Sequence, residues 1–379
     1  MERFRSLTMK KPPGHTRVVV AMSGGVDSSV AAGILASQGY DLVGVTIKTH
    51  RYEDVGGNTG NESSCCSLDG INDARAVAAQ LGFPHYTLDF SERFGSEVID
   101  NFVGEYLAGR TPNPCVICNR KIKWEELLRK ADALGADYIA TGHYARVRHD
   151  APSGRSILSR GVDASKDQSY ALWGLTQASL SRTLFPLGDL TKAGTRALGE
   201  KMGLKVAGKG ESFEICFIPD NDYGRFLKER VPSLEKTVGG GEMVRDGRVV
   251  GRHEGYPFYT IGQRRGLGVA MGEPVYVTGI DAATNRVSLG TERELYASAL
   301  VARAVNMIKY PAVPDGLTVH AKIRYKDEGG WATLRNLPEG RLEVRFDSPR
   351  RAVTPGQSVV FFEGDDVVGG GIIDLAVKH

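Results

Sequence analysis

Residues 18–29 read Val-Val-Val-Ala-Met-Ser-Gly-Gly-Val-Asp-Ser-Ser, and this stretch decides the fold. A short apolar run, predicted to be a strand, breaks into a glycine-rich loop that opens a helix. The helix has its apolar residues on one face and is predicted to end at Gly39. Gly24 and Gly25 let the backbone approach an anion, and the first N–H groups of the helix carry the positive end of its dipole. The stretch therefore predicts a strand, loop and helix that bind phosphate.

The loop is not a Walker loop, because that motif needs a lysine followed by Ser or Thr, and no lysine follows Gly25. Hydroxyl donors come instead from Ser23, Ser28 and Ser29. The plain alternative is a glycine turn between a strand and a helix that carries no ligand. A second glycine-rich run, residues 203–210, copies the Walker spacing but has glycine where Ser or Thr must bind the metal. We therefore exclude that run as a nucleotide site.

The composition is typical of a globular protein, with 41% hydrophobic and 25% charged residues and no apolar run long enough to span a bilayer. A length of 379 residues predicts two or three domains. The net charge of +3 does not by itself predict a polyanionic partner, because 48 basic residues nearly balance 45 acidic ones. The basic N-terminus lacks an apolar signal region, so we predict a loose tail, a cytoplasmic location and no membrane partner.

From Arg17 to about Gly142, short β-rich runs alternate with helical patterns. Such alternation is typical of a parallel sheet with helices on both faces, which binds its ligand at the carboxyl ends of the strands. The expected strands are the run before the loop and residues 42–47, 85–88 and 138–141. The expected helices are residues 69–81, 92–107, 119–134 and 192–202.

After about Tyr223 the sequence becomes glycine-dense, and residues 242–250 predict a hairpin around Asp-Gly. From about Leu300 apolar residues alternate with polar ones, which predicts a small antiparallel barrel or sandwich. The fold class is therefore α/β, followed by a small central domain and a C-terminal antiparallel β-barrel. The predicted divisions are a flexible tail at 1–16, an α/β domain at 17–222, a small central domain at 223–295 and a barrel at 296–379.

Five cysteines in a chain without a secretion signal indicate reduced thiols used in chemistry or in metal binding. Cys115 and Cys118 lie three residues apart in a predicted turn that leads into a helix. The helix dipole and the nearby Arg120 and Lys121 lower a thiol's pKa, which favours a nucleophile or a metal ligand. The alternative is half of a structural zinc site, although a second pair at this spacing is missing.

The remaining cysteines carry weaker signals. Cys65 and Cys66 are adjacent, which is a poor geometry for a zinc site, so we interpret them as incidental loop thiols. Cys216 lies in the apolar, strand-like run 215–218, where a buried structural cysteine is as plausible as a functional thiol.

Further motifs follow the phosphate loop in order along the chain. They are residues 109–114 (Gly-Arg-Thr-Pro-Asn-Pro) with Cys118, 137–144 (Asp-Tyr-Ile-Ala-Thr-Gly-His-Tyr), 166–170 (Lys-Asp-Gln-Ser-Tyr), 215–218 (Ile-Cys-Phe-Ile), 260–268 (Thr-Ile-Gly-Gln-Arg-Arg-Gly-Leu-Gly) and 354–357 (Thr-Pro-Gly-Gln). With these motifs the chain resembles the bacterial tRNA-specific 2-thiouridylases from about Arg17 to its end. The loop itself resembles the pyrophosphate loop of the nucleotide alpha hydrolases, so the resemblance implies a parallel sheet of that type. It also implies that residues 17–222 form an ATP-pyrophosphatase catalytic domain and that residues 223–295 form a tRNA-binding domain.

Enzymes of that family replace the oxygen at carbon 2 of the anticodon wobble uridine with sulfur. The resemblance implies that ATP, with Mg²⁺, adenylates the uracil oxygen and that a cysteine persulfide then delivers sulfur. It implies that Cys216 carries the persulfide and that Cys118 is its partner, closing a disulfide as the sulfur departs. It also implies two partners, the tRNA anticodon stem-loop and a protein that donates persulfide sulfur.

The resemblance further implies which residues bind each substrate. Contacts to ATP are expected from Ala21, Met22, Ser23, Gly24, Gly25, Val26, Asp27, Ser28, Ile47 and Gly142. Contacts to the target base are expected from Asn113, Pro114 and Cys115, and an unpaired anticodon loop presents that base at low unstacking cost. Other tRNA contacts are expected from His143, Lys166, Asp167, Gln168, Arg324, Tyr325 and Gln357.

Each tRNA contact has a plain structural alternative. His143 could cap a strand, and residues 166–168 could form an exposed polar turn. Residues 263–265 could clamp a phosphate backbone or form a solvated basic loop. Arg324 and Tyr325 lie in an alternating pattern, so one of them faces solvent, and stacking on a base is one use for it.

Two positions depart from the family pattern. Ile47 stands where methionine is common, a mild change for an apolar contact to adenine. Cys115 stands where some members have aspartate, which leaves the general acid or base unassigned. Residues 56–61 resemble a loop extension of unknown use.

Three other hypotheses stay open. Cys115, Cys118 and Cys216 could hold a 4Fe-4S cluster with one open iron that carries sulfide. The chain could be an ATP-pyrophosphatase ligase acting on a small carboxylate or purine, which uses the same loop without thiols. It could also be a tRNA-binding module built around the barrel, although the intact loop argues against a protein without chemistry.

Overall fold

A computed structural model describes residues 11–50, 68–209 and 215–378. These residues form two compact units. The first unit comprises the described residues of 1–98, 115–219 and 365–367, and the second comprises those of 99–114, 220–364 and 368–379.

The first unit contains a parallel sheet with the strand order β3-β2-β1-β4-β7. Its strands are β1 (Arg17–Ala21), β2 (Asp41–Lys48), β3 (His85–Asp89), β4 (Tyr138–Ala140) and β7 (Thr183–Leu184). Every pairing in this sheet is parallel, and the apolar run Val18–Val20 at its centre is fully buried. The predicted α/β sheet is therefore confirmed. Strand β7 was not predicted, because two residues are too few to show a periodic pattern.

Helices α1 (Val26–Ser37), α2 (Leu68–Leu81) and α8 (Lys192–Lys201) pack on this sheet. Helices α1 and α8 run side by side in the same direction: a Cβ at Gly199 would lie 3.2 Å from Val30, and one at Gly33 would lie 2.6 Å from the Met202 sulfur. Helix α1 ends at Ser37, and Gly39 follows it with a φ of +81°, as the sequence predicted.

Two of the predicted helices each contain a π-helical segment. The first runs through α3 (Ser91–Phe94), a π-helix (Gly95–Ile99) and α4 (Asp100–Leu107). The second runs through α5 (Pro114–Ile117), a π-helix (Cys118–Glu126) and α6 (Leu127–Ala133). This second helix begins at Pro114, earlier than predicted, and proline is favoured in a first helical turn because it has no N–H to leave unsatisfied. The π segments gave no sequence signal.

The first unit also contains the hairpin of β5 (Ala145–Asp150) and β6 (Arg155–Arg160), and the short helix α7 (Gln177–Leu180). Strand β6 pairs at Ser159 with Asp366, and Arg148 forms a 2.7 Å ion pair with the same aspartate. The described 3₁₀-helices of the whole chain are Pro13–His15, Ser169–Leu172, Lys205–Gly208, Tyr256–Phe258, Glu292–Leu295 and Pro338–Gly340. The helix Lys205–Gly208 occupies the rejected Walker-like run.

The second unit begins, after its short N-terminal part, with α9 (Tyr223–Arg230) and α10 (Leu234–Val238). A mixed sheet follows with the order β10-β11-β8-β9. Its strands are β8 (Gly241–Arg245), β9 (Arg248–His253), β10 (Tyr276–Asp281) and β11 (Arg286–Gly290). The hairpin predicted around Asp246-Gly247 is confirmed, and both residues have positive φ, 49° and 75°, as a tight hairpin turn requires.

The C-terminal strands form a closed antiparallel barrel. Its strands are β12 (Tyr296–Met307), β13 (Thr318–Lys322), β14 (Gly330–Asn336), β15 (Leu342–Arg351), β16 (Ser358–Glu363) and β17 (Asp366–Val377). They follow the order β12-β15-β14-β13-β16-β17, and β12 pairs with β17 to close the barrel. The alternating apolar residues fill its interior, so the predicted barrel is confirmed. The placement of Arg324 and Tyr325 in a strand is wrong, because β13 ends at Lys322 and both residues lie in the loop beyond it.

Candidate nucleotide and sulfur-transfer site

The glycine-rich loop connects Ala21, the last residue of β1, with α1 at the carboxyl end of the parallel sheet. Gly24 has a φ of +75°, and a Cβ at this position would collide with the backbone carbonyl of Gly70. The first-turn N–H groups of a helix have no partner inside the helix. Gly25 is the N-cap of α1 and supplies no side chain that could cap them. The loop therefore presents backbone donors and a helix dipole to an anion.

Hydroxyl groups hold the loop curled. The N–H of Ser23 donates to the Ser28 hydroxyl at 3.1 Å, and that hydroxyl donates to the Gly25 carbonyl at 3.2 Å. The base of the loop is fixed by Met22, whose carbonyl accepts a 2.7 Å hydrogen bond from the buried Thr46 hydroxyl. These bonds preorganise the loop before any ligand arrives.

Asp27 is the carboxylate of the loop, and residues from distant parts of the chain hold it. The Lys192 ammonium lies 2.8 Å from both carboxylate oxygens. The Tyr144 hydroxyl donates to Asp27 Oδ1 at 2.8 Å and lies 3.0 Å from the Thr195 hydroxyl. The sequence analysis missed Lys192, because its one local signal, the capping threonine before it, marks only the start of a helix.

Gly142 and Ile47 lie at the same edge of the sheet. A Cβ at Gly142 would lie 2.7 Å from the backbone of Asp27 and Ser28, so a side chain there would displace the loop. Ile47 is half-buried near the end of β2 and pairs with Leu88 of β3. The structure thus brings the expected ATP contacts to one edge of the sheet.

His143, an expected tRNA contact, is buried. Its ring packs against Trp124 at 5.5 Å and Phe185 at 6.3 Å between centroids, and its Nδ1 lies 2.7 Å from the Thr141 hydroxyl. Burial, together with the charge of Lys123, lowers the pKa of His143 well below its ordinary value. The geometry is that of a neutral core histidine at a strand end, and its contact to tRNA stays a prediction.

Asp167 and Gln168 make structural contacts within a turn. Asp167 accepts hydrogen bonds at 3.1 Å from the N–H groups of Gly161 and Ser169. Gln168 binds Tyr144 twice: its side-chain oxygen accepts from the Tyr144 N–H at 3.0 Å, and its own N–H donates to the Tyr144 carbonyl at 2.9 Å. The N–H of Lys166 donates to a carbonyl inside the same turn. Contacts from this turn to tRNA also stay a prediction.

Cys115 and Cys118 do not both lie before the helix. Cys115 is exposed and is the second residue of α5, whereas Cys118 is half-buried and begins the π-helix one turn further along. The expectation that both thiols lie in a preceding turn is therefore wrong. The dipole at the helix N-terminus acts most strongly on Cys115, because its effect falls off within the first turn.

The strand-like run around Cys216 is not a strand. Residues 215–218 form a turn, closed by a 2.9 Å hydrogen bond from the Ile218 N–H to the Ile215 carbonyl. Cys216 is half-buried within this turn. A continuous apolar run of four residues can line a turn that packs on a core as readily as a strand, which is why so short a run misled the prediction.

The segments that carry Cys118 and Cys216 share helix α3 as a neighbour. The Phe94 ring contacts Phe217 at 5.7 Å between centroids in an edge-to-face arrangement. Arg93 lies 3.3 Å from Glu126, which ends the π-helix that Cys118 begins. Helix α3 therefore packs beside both cysteine-bearing segments.

The proposed cluster ligands do not form a metal site. Within residues 11–50, 68–209 and 215–378, no group of three His, Cys, Asp or Glu side chains could hold a metal ion. Cys115, Cys118 and Cys216 therefore do not fit a 4Fe-4S cluster in this arrangement. Cys65, Cys66 and the loop extension at 56–61 lie outside the described residues. Among the described helices, none is long and apolar enough to cross a membrane.

In the second unit, Gln357 holds the loop that leads into Asn113 and Pro114. Its side-chain amide donates to the carbonyls of Thr111 at 3.1 Å and Pro112 at 2.9 Å. The N–H of Thr111 donates in turn to the Pro355 carbonyl at 2.9 Å. Gln357, expected to contact tRNA, thus positions the expected base-binding loop.

An ion-pair network anchors the residue before this loop. Arg110 donates to both carboxylate oxygens of Glu105, at 2.6 and 2.9 Å, and Arg303 donates to the same carboxylate at 3.1 Å. Burial raises the pKa of Glu105, but the hydrogen bonds and charges of the two arginines outweigh it and leave the pKa below its ordinary value. Elsewhere in the unit, Tyr325 is 45% exposed, and its contact to tRNA stays a prediction.

A parallel sheet with a Ser-Gly-Gly-Val-Asp-Ser loop at its carboxyl end defines a domain of the ATP-pyrophosphatase-loop class, here followed by a mixed sheet and a closed barrel. Known protein families match in the same order. Residues 16–220 match the tRNA methyl transferase HUP domain, residues 224–291 the tRNA methyl transferase PRC-barrel domain, and residues 297–373 the aminomethyltransferase beta-barrel domain.

Relatives that match nearly the full length of the chain identify the family. Proteins named tRNA-specific 2-thiouridylase MnmA are 55% identical in Salinibacter ruber (94% of each chain), 56% in Amoebophilus asiaticus (96% of each) and 53% in Cytophaga hutchinsonii (96% of this chain, 98% of that one). The chain therefore belongs to the tRNA-specific 2-thiouridylase family of sulfur-transferring enzymes. The matching domain families carry methyl-transfer names, whereas the full-length relatives carry the thiolation name.

Proposed function

We propose that this protein uses ATP to replace the C2 oxygen of the wobble uridine in tRNA anticodons with sulfur. The observation that carries the proposal is the preorganised loop Ser23–Ser28, in a chain more than half identical to proteins named tRNA-specific 2-thiouridylase over nearly its full length. Because tRNA is the substrate, the proposal places the protein in the cytoplasm.

The first step activates the uracil. Its O2 attacks the α-phosphorus of ATP, an O–P bond forms, and the bond to the β-phosphate breaks as pyrophosphate leaves with the electron pair. The N3 proton of the base passes to an acceptor that this chain leaves unassigned, since Cys115 replaces a carboxylate there. Mg²⁺ would arrive on the phosphates of ATP, because it is commonly held by phosphate oxygens and water with few protein ligands. The loop N–H groups and the dipole of α1 bind the polyphosphate.

The second step transfers sulfur. The outer sulfur of a persulfide on Cys216 attacks carbon 2 of the activated uracil, and the persulfide proton replaces the proton that N3 lost in the first step. Cys118 thiolate attacks the inner sulfur, the S–S bond of the persulfide breaks, and its electron pair stays with the sulfur on the base as AMP leaves. The products are 2-thiouridine, AMP and a Cys118–Cys216 disulfide. A thiol reductant then reopens the disulfide, and a donor protein reloads Cys216 with persulfide sulfur.

The shared contact of both cysteine-bearing segments with α3 supports this pairing. Arg120 and Lys121 follow Cys118 directly in the chain, and positive charge near a thiol favours the thiolate that must attack.

The test uses purified protein, an unmodified tRNA transcript, ATP, Mg²⁺, a persulfide sulfur donor and a thiol reductant, with mass spectrometry of the tRNA nucleosides. We expect 2-thiouridine from the wild type and from Cys65→Ser, whose thiol has no assigned role. We expect at least a thousandfold loss in Cys216→Ser, because the persulfide carrier is gone.

If ATP cleavage depends on a small carboxylate or purine, and the Cys216→Ser variant cleaves ATP as fast as the wild type, the protein is instead a ligase. A wild type that binds tRNA without cleaving ATP would identify a binding module. If the active, anaerobically purified protein contains iron, an iron–sulfur cluster carries the sulfur and the persulfide hypothesis is wrong. If the active protein contains no iron, the result supports the persulfide.

A further inference from the structure

We propose that Lys192 is the lysine of the nucleotide site, and that its ammonium binds the α- and β-phosphate oxygens of ATP. This inference rests on the proposed function and adds a catalytic residue to it. The loop itself contains no lysine, but Lys192, which lies 165 residues after Asp27 in the chain, contacts the loop in the folded protein.

The position of the ammonium is the first argument. Lys192 Nζ lies 2.8 Å from both carboxylate oxygens of Asp27, a loop residue whose backbone is in turn in contact with Gly142. The ammonium therefore lies beside one expected ATP contact, Asp27, whose backbone adjoins another, Gly142. Lys192 is the first residue of α8, and its backbone N–H donates to Asp163 at 2.9 Å, which fixes the start of its side chain.

The environment of the ammonium is the second argument. The Lys192 side chain is only 12% exposed, and Nζ lies 5.9 Å from the centroid of the Tyr144 ring. Asp27, at 33% exposed, stands in the first turn of α1, where its negative charge would repel a polyphosphate. Lys192 cancels that charge, and a partly desolvated ammonium attracts phosphate more strongly than one in water.

The flexible stem of lysine is the third argument. Lysine carries a compact charge with three rotatable donors, so Nζ can contact a phosphate while it remains near Asp27. Arginine presents its donors in a fixed planar arrangement, so it adapts less readily than lysine to two partners at once. Lysine is also the residue that Walker loops use for the same ligand, with a different position in the sequence.

The chemical role is electrostatic. As the uracil O2 bonds to the α-phosphorus and the bond to the β-phosphate breaks, negative charge moves onto the leaving pyrophosphate. Lys192 acts through its charge alone, so no proton or electron pair passes through it. A fixed positive charge beside the oxygens that gain charge stabilises the transition state more than the ground state.

The test is nucleotide binding without tRNA, measured by calorimetry with α,β-methylene-ATP and with adenosine as probes. We expect Lys192→Met to weaken binding of the ATP analogue about 10- to 100-fold, the range for losing a hydrogen bond to a charged group. Binding of adenosine should change less than about twofold, because adenosine has no phosphate. Lys192→Arg should recover part of the loss.

Two further variants control for stability. Lys201→Met removes the same charge at the other end of α8, and we expect it to bind both probes as the wild type does. Asp27→Asn with Lys192→Met removes both members of the ion pair, so neither charge is left buried alone. We expect this double variant to keep adenosine binding and to show the same selective loss of the ATP analogue.

An equal loss of both probes, or no loss of either, in the double variant would overturn the inference and leave the ion pair as a structural contact. Failure of the proposed function is a separate result: the wild type would bind the ATP analogue through Lys192 yet form no 2-thiouridine in tRNA.

Discussion

At the residue scale, Gly24 constrains the shape of the proposed phosphate loop more tightly than a turn glycine does. Gly24 combines a φ of +75° with a backbone contact to Gly70 that leaves no room for a Cβ. Gly39, at the end of the same helix, has a φ of +81° but nothing within 4 Å of its missing Cβ. Alanine at position 39 would therefore introduce backbone strain alone, whereas alanine at position 24 would introduce both strain and a steric clash.

We predict that Gly24→Ala and Gly39→Ala each lower the free energy of unfolding by about 1 kcal/mol or more, because alanine resists positive φ. Only Gly24→Ala should also lose binding of an ATP analogue, by at least tenfold, because the added Cβ displaces the loop. Urea unfolding and calorimetry measure the two effects. Unchanged nucleotide affinity in Gly24→Ala would mean that the loop does not bind the phosphates.

The glycines and serines of the loop could be predicted from sequence, because backbone freedom and hydroxyl donors act locally. The partner of Asp27 could not. Lys192 and Tyr144 reach Asp27 only after the sheet and α8 have packed, and no local pattern encodes that contact. His143 shows the converse, since a side chain that looks available beside a glycine lies buried against Trp124.

At the scale of elements, the loop of residues 110–114 is held at two places. Arg110 is fixed by its ion pairs with Glu105, and the carbonyls of Thr111 and Pro112 are held by Gln357. An anchored loop can place Asn113 and Pro114 against a base with little loss of conformational entropy on binding.

We predict that Gln357→Ala lowers kcat for tRNA thiolation about tenfold and leaves the affinity for an ATP analogue unchanged, because it loosens the loop and leaves the nucleotide site intact. Steady-state kinetics and calorimetry measure the two quantities. Gln80→Ala is the matched control, since Gln80 also donates to two carbonyls, of Met202 and Gly203. A rise in KM for tRNA at constant kcat would show instead that Gln357 binds tRNA directly.

The long elements could be predicted because their hydrophobic periods repeat several times. The elements that the sequence did not predict are short or irregular. Strand β7 has two residues, the turn at Cys216 has four, and the π-helix Cys118–Glu126 keeps an ordinary amphipathic pattern. A π-helix differs from an α-helix by one residue per hydrogen-bonded turn, which is too small a change to show in the hydrophobic pattern of nine residues.

At the scale of the whole molecule, the parallel sheet and the closed barrel follow the order that patterning predicted. Of the mixed sheet between them, the sequence predicted only the hairpin of β8 and β9, because the parallel pairing of β8 with β11 joins distant segments. The domain boundaries at 17–222, 223–295 and 296–379 remain predictions. The central claim is that one enzyme both activates the uracil with ATP and delivers sulfur from Cys216, with Cys118 as the second thiol.

A single-turnover experiment tests that claim most directly. Protein preloaded with persulfide on Cys216 is mixed with excess tRNA, ATP and Mg²⁺, without reductant or further sulfur, and the products are counted by mass spectrometry. The account predicts one 2-thiouridine, one AMP and one Cys118–Cys216 disulfide per loaded enzyme, with the disulfide found by peptide mapping. Formation of 2-thiouridine with both thiols left reduced, or of AMP without either product, would contradict it.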